Sequence, residues 1–139
     1  MTYLRERVAL FTGVTDENLS VLSEASSLHT FNKGQTILFK GATVDGLHIV
    51  VSGKVGVFVK STNKTSVLVT ELGEGEVFGE MSIVEMGTAG ATIKATEDAV
   101  VLVIPQESFR HVLQQDEGFA VRVNILIATR KSAPTSVPA

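Results

Sequence analysis

The segment "FGEMSIVEMGTAGATIKA", Phe78 to Ala95, combines residues that could bind an anion. A Gly-Glu pair lies near the start of the segment, and small residues lie near its end. The unpaired N–H groups in the first turn of a helix favour an anion placed over that turn. A carboxylate repels an anion, so Glu80 suits a ligand hydroxyl, or it is an acidic residue that interacts with the helix dipole. The only cation, Lys94, comes near the end, so the sequence leaves open what would neutralise the anion.

The composition predicts one globular domain and excludes several functions. The chain has 139 residues, 44% of them hydrophobic and 19% charged, which suits a single core. A formal net charge of −3 argues against nucleic acid as a partner. The absence of cysteine excludes disulfides, thiolate zinc sites and thiol catalysis. No apolar run has membrane-spanning or signal-peptide character, so we expect a cytoplasmic protein without a membrane partner.

Short strands are predicted for the middle of the chain. From Leu28 to Ile104, β-rich runs alternate with turn residues such as Gly, Asn, Asp and Ser. The runs are "LHTF", "QTILFK", "LHIVVSG", "KVGVFVK", "SVLVTEL", "EVFGE", "ATIKATE" and "AVVLVIP". Their spacing is typical of a sandwich, a jelly roll or a small barrel. Val55, Val57 and Val59 alternate with other residues, so one face of their strand belongs to the core.

Helices are predicted at both ends of this β-rich region. Thr2 to Leu10 forms a first short helix, and Thr15 caps a second. Pro105 ends the last strand, and "QESFRHVLQQ" follows with helical spacing. The segment "DEGFAVRVNILIATRK" alternates like a strand but also fits a helix. We predict a helix, because acidic residues precede it and basic residues end it. The domain is predicted to span residues 1–131, with a disordered tail at 132–139.

The arrangement of glycines resembles one family over nearly the whole chain. "FNKGQTILFKGATVDGLHIVVSGKVGVF", followed by "LGEGEVFGEMSIVE", is similar to the cyclic-nucleotide-binding domain. The resemblance implies an α+β, mainly β fold. In that fold a double-stranded β-helix, or jelly-roll-like β-roll, is flanked by short N-terminal helices and two C-terminal helices. It also implies a non-catalytic regulatory or sensor module with no cofactor and with a cyclic nucleotide as its ligand.

The resemblance identifies the opening segment as a phosphate-binding cassette. In the family this cassette reads Phe-Gly-Glu, a short helix, Pro-Arg and then a small-residue strand, and its glutamate binds the ribose 2′-OH. Phe78-Gly79-Glu80 matches the start, and Ala91 to Ala95 matches the outgoing strand. The resemblance therefore implies a short helix at Met81 to Glu85. The implied ligand-binding residues are Phe78, Gly79, Glu80, Met81, Ser82, Thr88, Ala89, Gly90, Ala91 and Thr92.

This sequence departs from the family at the phosphate contact. Ala89 stands where the family usually has arginine, and Thr88 stands where it usually has proline. Three alternatives remain open. In the first, the phosphate is held by backbone amides near Ser82, Ala89 and Gly90, together with the hydroxyls of Ser82, Thr88 and Thr92. In the second, a cation comes from Arg122, Arg130 or Lys94. In the third, nucleotide binding is lost. Cyclic-GMP-selective members often carry threonine at the position of Gly90, so we expect cyclic AMP to be preferred.

Two further alternatives concern the class of protein. Cupin enzymes share small β-rolls and bind metal through clustered histidines and a glutamate. His29, His48 and His111 are far apart in sequence, and we predict a strand-surface, a strand-packing and a helix-surface position, respectively. We therefore predict that the chain is not an enzyme and has no metal site. The other alternative is a degenerate domain that acts as a protein-interaction or dimerisation module.

The last helix is apolar on most sides, which leaves two interpretations of its role. Either it packs tightly against Phe109, Val112 and Phe11, or part of it contacts a second copy and forms a homodimer.

Overall fold

The computed structural model describes residues 11, 13–60, 65–80, 89 and 91–132, without the side chains of residues 130–132. The first helix in these ranges, α1 (Asp16–Ala25), begins after Thr15, whose Oγ1 accepts a hydrogen bond from the Asn18 N–H at 3.2 Å. Thr15 is therefore the N-cap that the sequence predicted. The helix predicted for Thr2 to Leu10 and the tail beyond residue 132 lie outside the described residues.

Strands occupy the middle of the described chain and form two antiparallel sheets. One sheet has the order β1-β8-β3-β6, and the other has the order β2-β7-β4-β5. The strands are β1 (Ser27–Phe31), β2 (Thr36–Leu38), β3 (Gly46–Ser52), β4 (Val55–Lys60), β5 (Ser66–Leu72), β6 (Val77–Phe78), β7 (Thr92–Ala95) and β8 (Ala99–Pro105). Neighbours in each sheet are mostly distant in sequence, as expected for a jelly-roll-like β-roll. The predicted mainly β fold with flanking helices is confirmed.

The predicted inward face of β4 belongs to the core. Val55 and Val57 are buried, and Val59 packs against the core from a partly buried position. Val57 pairs with Ile93 of β7, which is fully buried. The alternation that the sequence showed is therefore the physical pattern of a strand with one buried face.

Two helices follow β8, as predicted. Helix α2 (Gln106–Gln115) begins directly after Pro105, and α3 (Glu117–Ser132) follows one residue after α2 ends. The Phe119 ring stacks on Phe11 at 5.4 Å and meets the edge of Phe109 at 5.6 Å. The predicted contact of α3 with Phe11 and Phe109 is confirmed. Within the described residues, no helix has both the length and the apolar character needed to cross a membrane.

Candidate functional site

The segment from Phe78 to Thr92, here called the cradle, is held at its start by β3. Phe78 lies opposite His48 in the β3–β6 pairing, and the two rings stack with centroids 4.7 Å apart. Both side chains are buried, so the predicted packing position of His48 is confirmed. His48 Nδ1 lies 3.0 Å from the Gly46 carbonyl oxygen, and burial lowers the pKa of this histidine to about 4. The ring is therefore neutral at physiological pH and donates its Nδ1–H to that carbonyl.

Gly79 turns the chain from β6 into the cradle. Its φ of +93° lies in the left-handed region that favours glycine. A Cβ atom at this position would lie 3.0 Å from the Gly46 carbonyl oxygen and 3.1 Å from Val44 Cγ1. Glu80 follows with helical backbone and a fully buried side chain. The turn thus places a carboxylate inside the protein at the start of the cradle.

The far end of the cradle is anchored by backbone hydrogen bonds to the turn after β2. The Ala89 N–H donates to the Ala42 carbonyl at 2.9 Å, and the Gly41 N–H donates to the Ala89 carbonyl at 2.8 Å. The Ala89 N–H is therefore not available to an anion, which corrects the expectation that this amide would contribute to phosphate binding. The Ala89 side chain, 2% exposed, is part of the core.

Two of the predicted site residues, Ala91 and Thr92, lie on opposite faces of the strand that leaves the cradle. Ala91 is fully buried, as is Ile93, two residues further along the same face. The Thr92 side chain points to the opposite face, and its Oγ1 accepts a hydrogen bond from the Lys40 N–H at 3.2 Å. That hydroxyl keeps its own proton for donation, so the expected contact of Thr92 with a phosphate stays a prediction. The other predicted residues, Met81, Ser82, Thr88 and Gly90, lie outside the described residues, as does the helix predicted for Met81 to Glu85.

Two of the three candidate cations, Lys94 and Arg122, lie beside residues outside the cradle. Lys94 shares the outer face of β7 with Thr92, and its Nζ lies 5.4 Å from the centre of the Phe58 ring. Arg122 Nη1 would lie 3.8 Å from a Cβ added at Gly13 and 3.4 Å from one added at Gly118. The Arg122 guanidinium is thus beside the N-terminal turn and the start of α3. The Arg130 side chain is outside the described part of the structure.

The sequence indicated a turn at Gly41, but it did not identify the hydrogen bonds of that turn to Ala89 or the contact of His48 with Phe78. Both depend on pairing between segments that are far apart in the chain, and neither has a local pattern of its own. A signal for the turn was present in the "KGA" sequence, because Gly41 adopts a φ of +88°. It indicates a turn but does not identify the cradle residue to which the turn binds.

The remaining histidines lie where the sequence placed them. His29 is exposed on β1, and His111 is exposed on α2. Across the described ranges, no three His, Asp or Glu side chains come together in a way that could hold a metal ion.

Several known proteins are similar to this chain in sequence or in fold. The lysophospholipase nte1 of Neosartorya fischeri is 29% identical over 99 residues, which are 71% of this chain and 6% of that protein. The cyclic AMP receptor protein of Thermus thermophilus is 28% identical over 121 residues. The crystal structure of the Thermus thermophilus catabolite activator protein matches with a TM-score of 0.77 at 28% identity, over 87% of this chain and 57% of that one.

A third similar structure comes from Trypanosoma brucei. It is a triple mutant of the regulatory subunit of a cAMP-independent protein kinase A, bound to cAMP in the A site, and one of its three replacements changes threonine to arginine. Its TM-score is 0.81 at 20% identity, over 97% of this chain and 47% of that one. This chain spans between 6% and about half of the length of these relatives.

The family comparison covers the strands, the cradle and α2 together. The cyclic nucleotide-binding domain model matches residues 28–116, which is more than half of the chain. The match includes the Phe78-Gly79-Glu80 corner and the Ala89 anchor described above. The chain therefore belongs to the cyclic nucleotide-binding domain family.

Proposed function

We propose that this regulatory domain binds cyclic nucleotides weakly, with cyclic AMP bound as well as or better than cyclic GMP. The observation that carries the proposal is the cradle. Its start is held against β3 by the His48–Phe78 stack, and its end is held against the Gly41–Ala42 turn by two backbone hydrogen bonds. The side chain of Glu80, near its start, is a buried carboxylate. Fixed ends of the cradle lower the ordering cost that a ligand would otherwise meet on binding.

Glu80 is the proposed acceptor for a ribose hydroxyl. Its buried position excludes water, so a hydrogen bond from a sugar hydroxyl to the carboxylate is charge-assisted and strong. The same carboxylate disfavours a ligand whose only polar group is a phosphate. A nucleotide satisfies both requirements, because its ribose occupies the carboxylate side and holds the phosphate further along the cradle.

The missing arginine explains why the proposed affinity is weak. A buried phosphodiester without a paired cation is less stable by about 3–5 kcal/mol than one with a cation. Lys94 and Arg122 have other contacts, and the Ala89 N–H is bonded to Ala42. The Trypanosoma brucei structure supports this reasoning, since cAMP is bound there in a mutant that includes a threonine-to-arginine replacement.

Calorimetric titration of the purified chain with cyclic AMP and cyclic GMP tests the proposal. We expect saturable binding of cyclic AMP with a Kd weaker than about 10 μM and a slight or no preference over cyclic GMP. Gly90 has no hydroxyl to meet a guanine amino group, which is why cyclic GMP gains nothing. A cyclic GMP affinity tenfold or more above that for cyclic AMP contradicts the preference, and no heat of binding for either ligand at millimolar concentration contradicts the function.

A second candidate function is self-association, favoured by the outer face of α3. Phe119, Val123 and Ile127 are buried on its inner face, whereas Val121 and Ile125 are 55% and 59% exposed. Val121 and Ile125 are four residues apart and therefore lie on one stripe of the helix. The packing interpretation accounts for the inner face, and a second copy of the chain would cover the stripe across a two-fold axis. Light scattering at micromolar concentration should give the mass of a dimer, and the mass of a monomer contradicts this assignment.

A further inference from the structure

A cavity lies between β1, β2, β8 and the start of β3. Its volume is about 260 Å³. One part of its wall is polar and consists of His29, Thr43, Asp45 and His48. The other part is apolar and consists of Phe31, Ile37, Leu38 and Val103. The cavity adjoins the start of the cradle, because His48 also stacks on Phe78.

The polar part of the wall holds several hydrogen-bond acceptors, and the Thr43 hydroxyl can accept or donate. His48 Nδ1 is engaged by the Gly46 carbonyl, so the neutral ring presents Nε2 as an acceptor. Asp45 adds an exposed carboxylate, and its negative charge repels an anionic ligand. His29 Nε2 lies 2.9 Å from Ser27 Oγ, which occupies that ring nitrogen within β1. The Asp45 carboxylate and His48 Nε2 favour a ligand that donates hydrogen bonds, and a positive charge strengthens its attraction to Asp45.

The apolar part and the volume define the rest of the ligand. Leu38 is buried, and Phe31, Ile37 and Val103 are half-buried, so a short hydrocarbon body would remove apolar surface from water on both sides. At about 30 Å³ for each non-hydrogen atom, the liquid volume of a water molecule, the cavity holds roughly nine such atoms. A small aryl or alkyl amine fits this volume.

We propose that this cavity binds a small organic cation, a primary ammonium group on a short apolar body. The ammonium group lies between the Asp45 carboxylate and His48 Nε2, and the apolar body contacts Phe31 and Leu38. The site shares His48 with the anchor of the cradle, but it takes a ligand of opposite charge and does not depend on the proposed nucleotide function.

Protein NMR on the whole labelled chain tests the proposal with three probes of nearly equal size. These are 2-phenylethylamine, the neutral 2-phenylethanol and the anionic phenylacetate. We expect 2-phenylethylamine to bind with a Kd of about 1–10 mM, a range typical of such small ligands, and to shift the amides of β1, β2 and residues 43–48. The alcohol should bind at least fivefold more weakly, and phenylacetate should not bind.

Asp45→Asn isolates the charge, with Asp16→Asn on the exposed start of α1 as its matched control. Asp45→Asn should weaken 2-phenylethylamine binding about five- to tenfold, whereas Asp16→Asn should leave it unchanged. The proposal is overturned by equal responses to the three probes or by equal affinity of the Asp45→Asn variant. Shifts confined to the cradle, or the absence of any shift at 20 mM, overturn it as well.

Discussion

Protonation of His48 should make the stability of this domain depend on pH in a defined window. Burial lowers the pKa of His48 to about 4 in the folded protein, from 6.5 for an ordinary histidine. The unfolded chain therefore binds more protons than the folded one between these two values, and stability falls as the pH falls. The contribution is fully present above pH 6.5 and is lost at and below pH 4. The difference between these two pKa values corresponds to about 3 kcal/mol in total.

Urea denaturation between pH 7 and pH 4 measures this contribution against a matched variant. From the two pKa values, His48 should account for a loss of about 2 kcal/mol between pH 7 and pH 5 and about 3 kcal/mol by pH 4. His48→Phe keeps an aromatic ring against Phe78 but cannot titrate. It should lose about 1 kcal/mol at pH 7 with the hydrogen bond to Gly46, and its stability should change less with pH. His111→Gln, an exposed position on α2, should follow the wild-type curve.

The difference between the wild-type and His48→Phe curves removes the contribution of every other titrating group. If the two curves run parallel from pH 7 to pH 4, the buried histidine does not carry the pH dependence and the reasoning from its burial is wrong. The same conclusion follows if the stability of the wild-type protein, relative to that of the variant, rises as the pH falls.

Two further predictions concern the cradle corner and the last helix. Gly79→Ala should destabilise the protein by roughly 1–3 kcal/mol in urea denaturation, because the new Cβ meets the Gly46 carbonyl in a left-handed backbone. Gly73→Ala, where an added Cβ meets only Glu76 Oε1 at 4.0 Å, should stay within about 0.5 kcal/mol of wild type; equal losses contradict the argument. Val121→Lys should convert the proposed dimer to a monomer in light scattering with little change in stability, and a dimer that persists rules out this face.

The sequence predicted the strands and helices well, because each has a local cause. The alternation of Val55 and Val57 and the capping of α1 by Thr15 can both be read from neighbouring residues. The last helix was harder to assign, since Val121 and Val123 alternate like residues of a strand. The structure shows the reason for the ambiguity: α3 buries Val123 on one face and leaves apolar Val121 exposed on another. Only tertiary packing distinguishes the two.

The candidate site was predicted only in part, because its geometry depends on distant segments. The Phe-Gly-Glu corner was recognised from three adjacent residues. The partner of the Ala89 N–H is Ala42, which is far away in the chain, and no local pattern identifies that pairing. The direction of Thr92 follows from the register of β7, which the sequence did not define to within one residue.

The proposed function attributes the weak nucleotide affinity to the absence of arginine at position 89. An arginine introduced there would meet the phosphate through charge-assisted and bidentate hydrogen bonds. A net gain of about 1.5–3 kcal/mol corresponds to roughly 10- to 100-fold tighter binding. Ala89→Met is the matched control, since it adds a long side chain without charge at the same buried position.

Calorimetric titration of wild type, Ala89→Arg and Ala89→Met with cyclic AMP is the most direct test. Ala89→Arg should bind cyclic AMP roughly 10- to 100-fold more tightly than either of the others. Adding Glu80→Gln to Ala89→Arg should weaken cyclic AMP binding about tenfold relative to Ala89→Arg alone. Circular dichroism establishes that each variant is folded. A folded Ala89→Arg protein that binds cyclic AMP no more tightly than Ala89→Met contradicts the account.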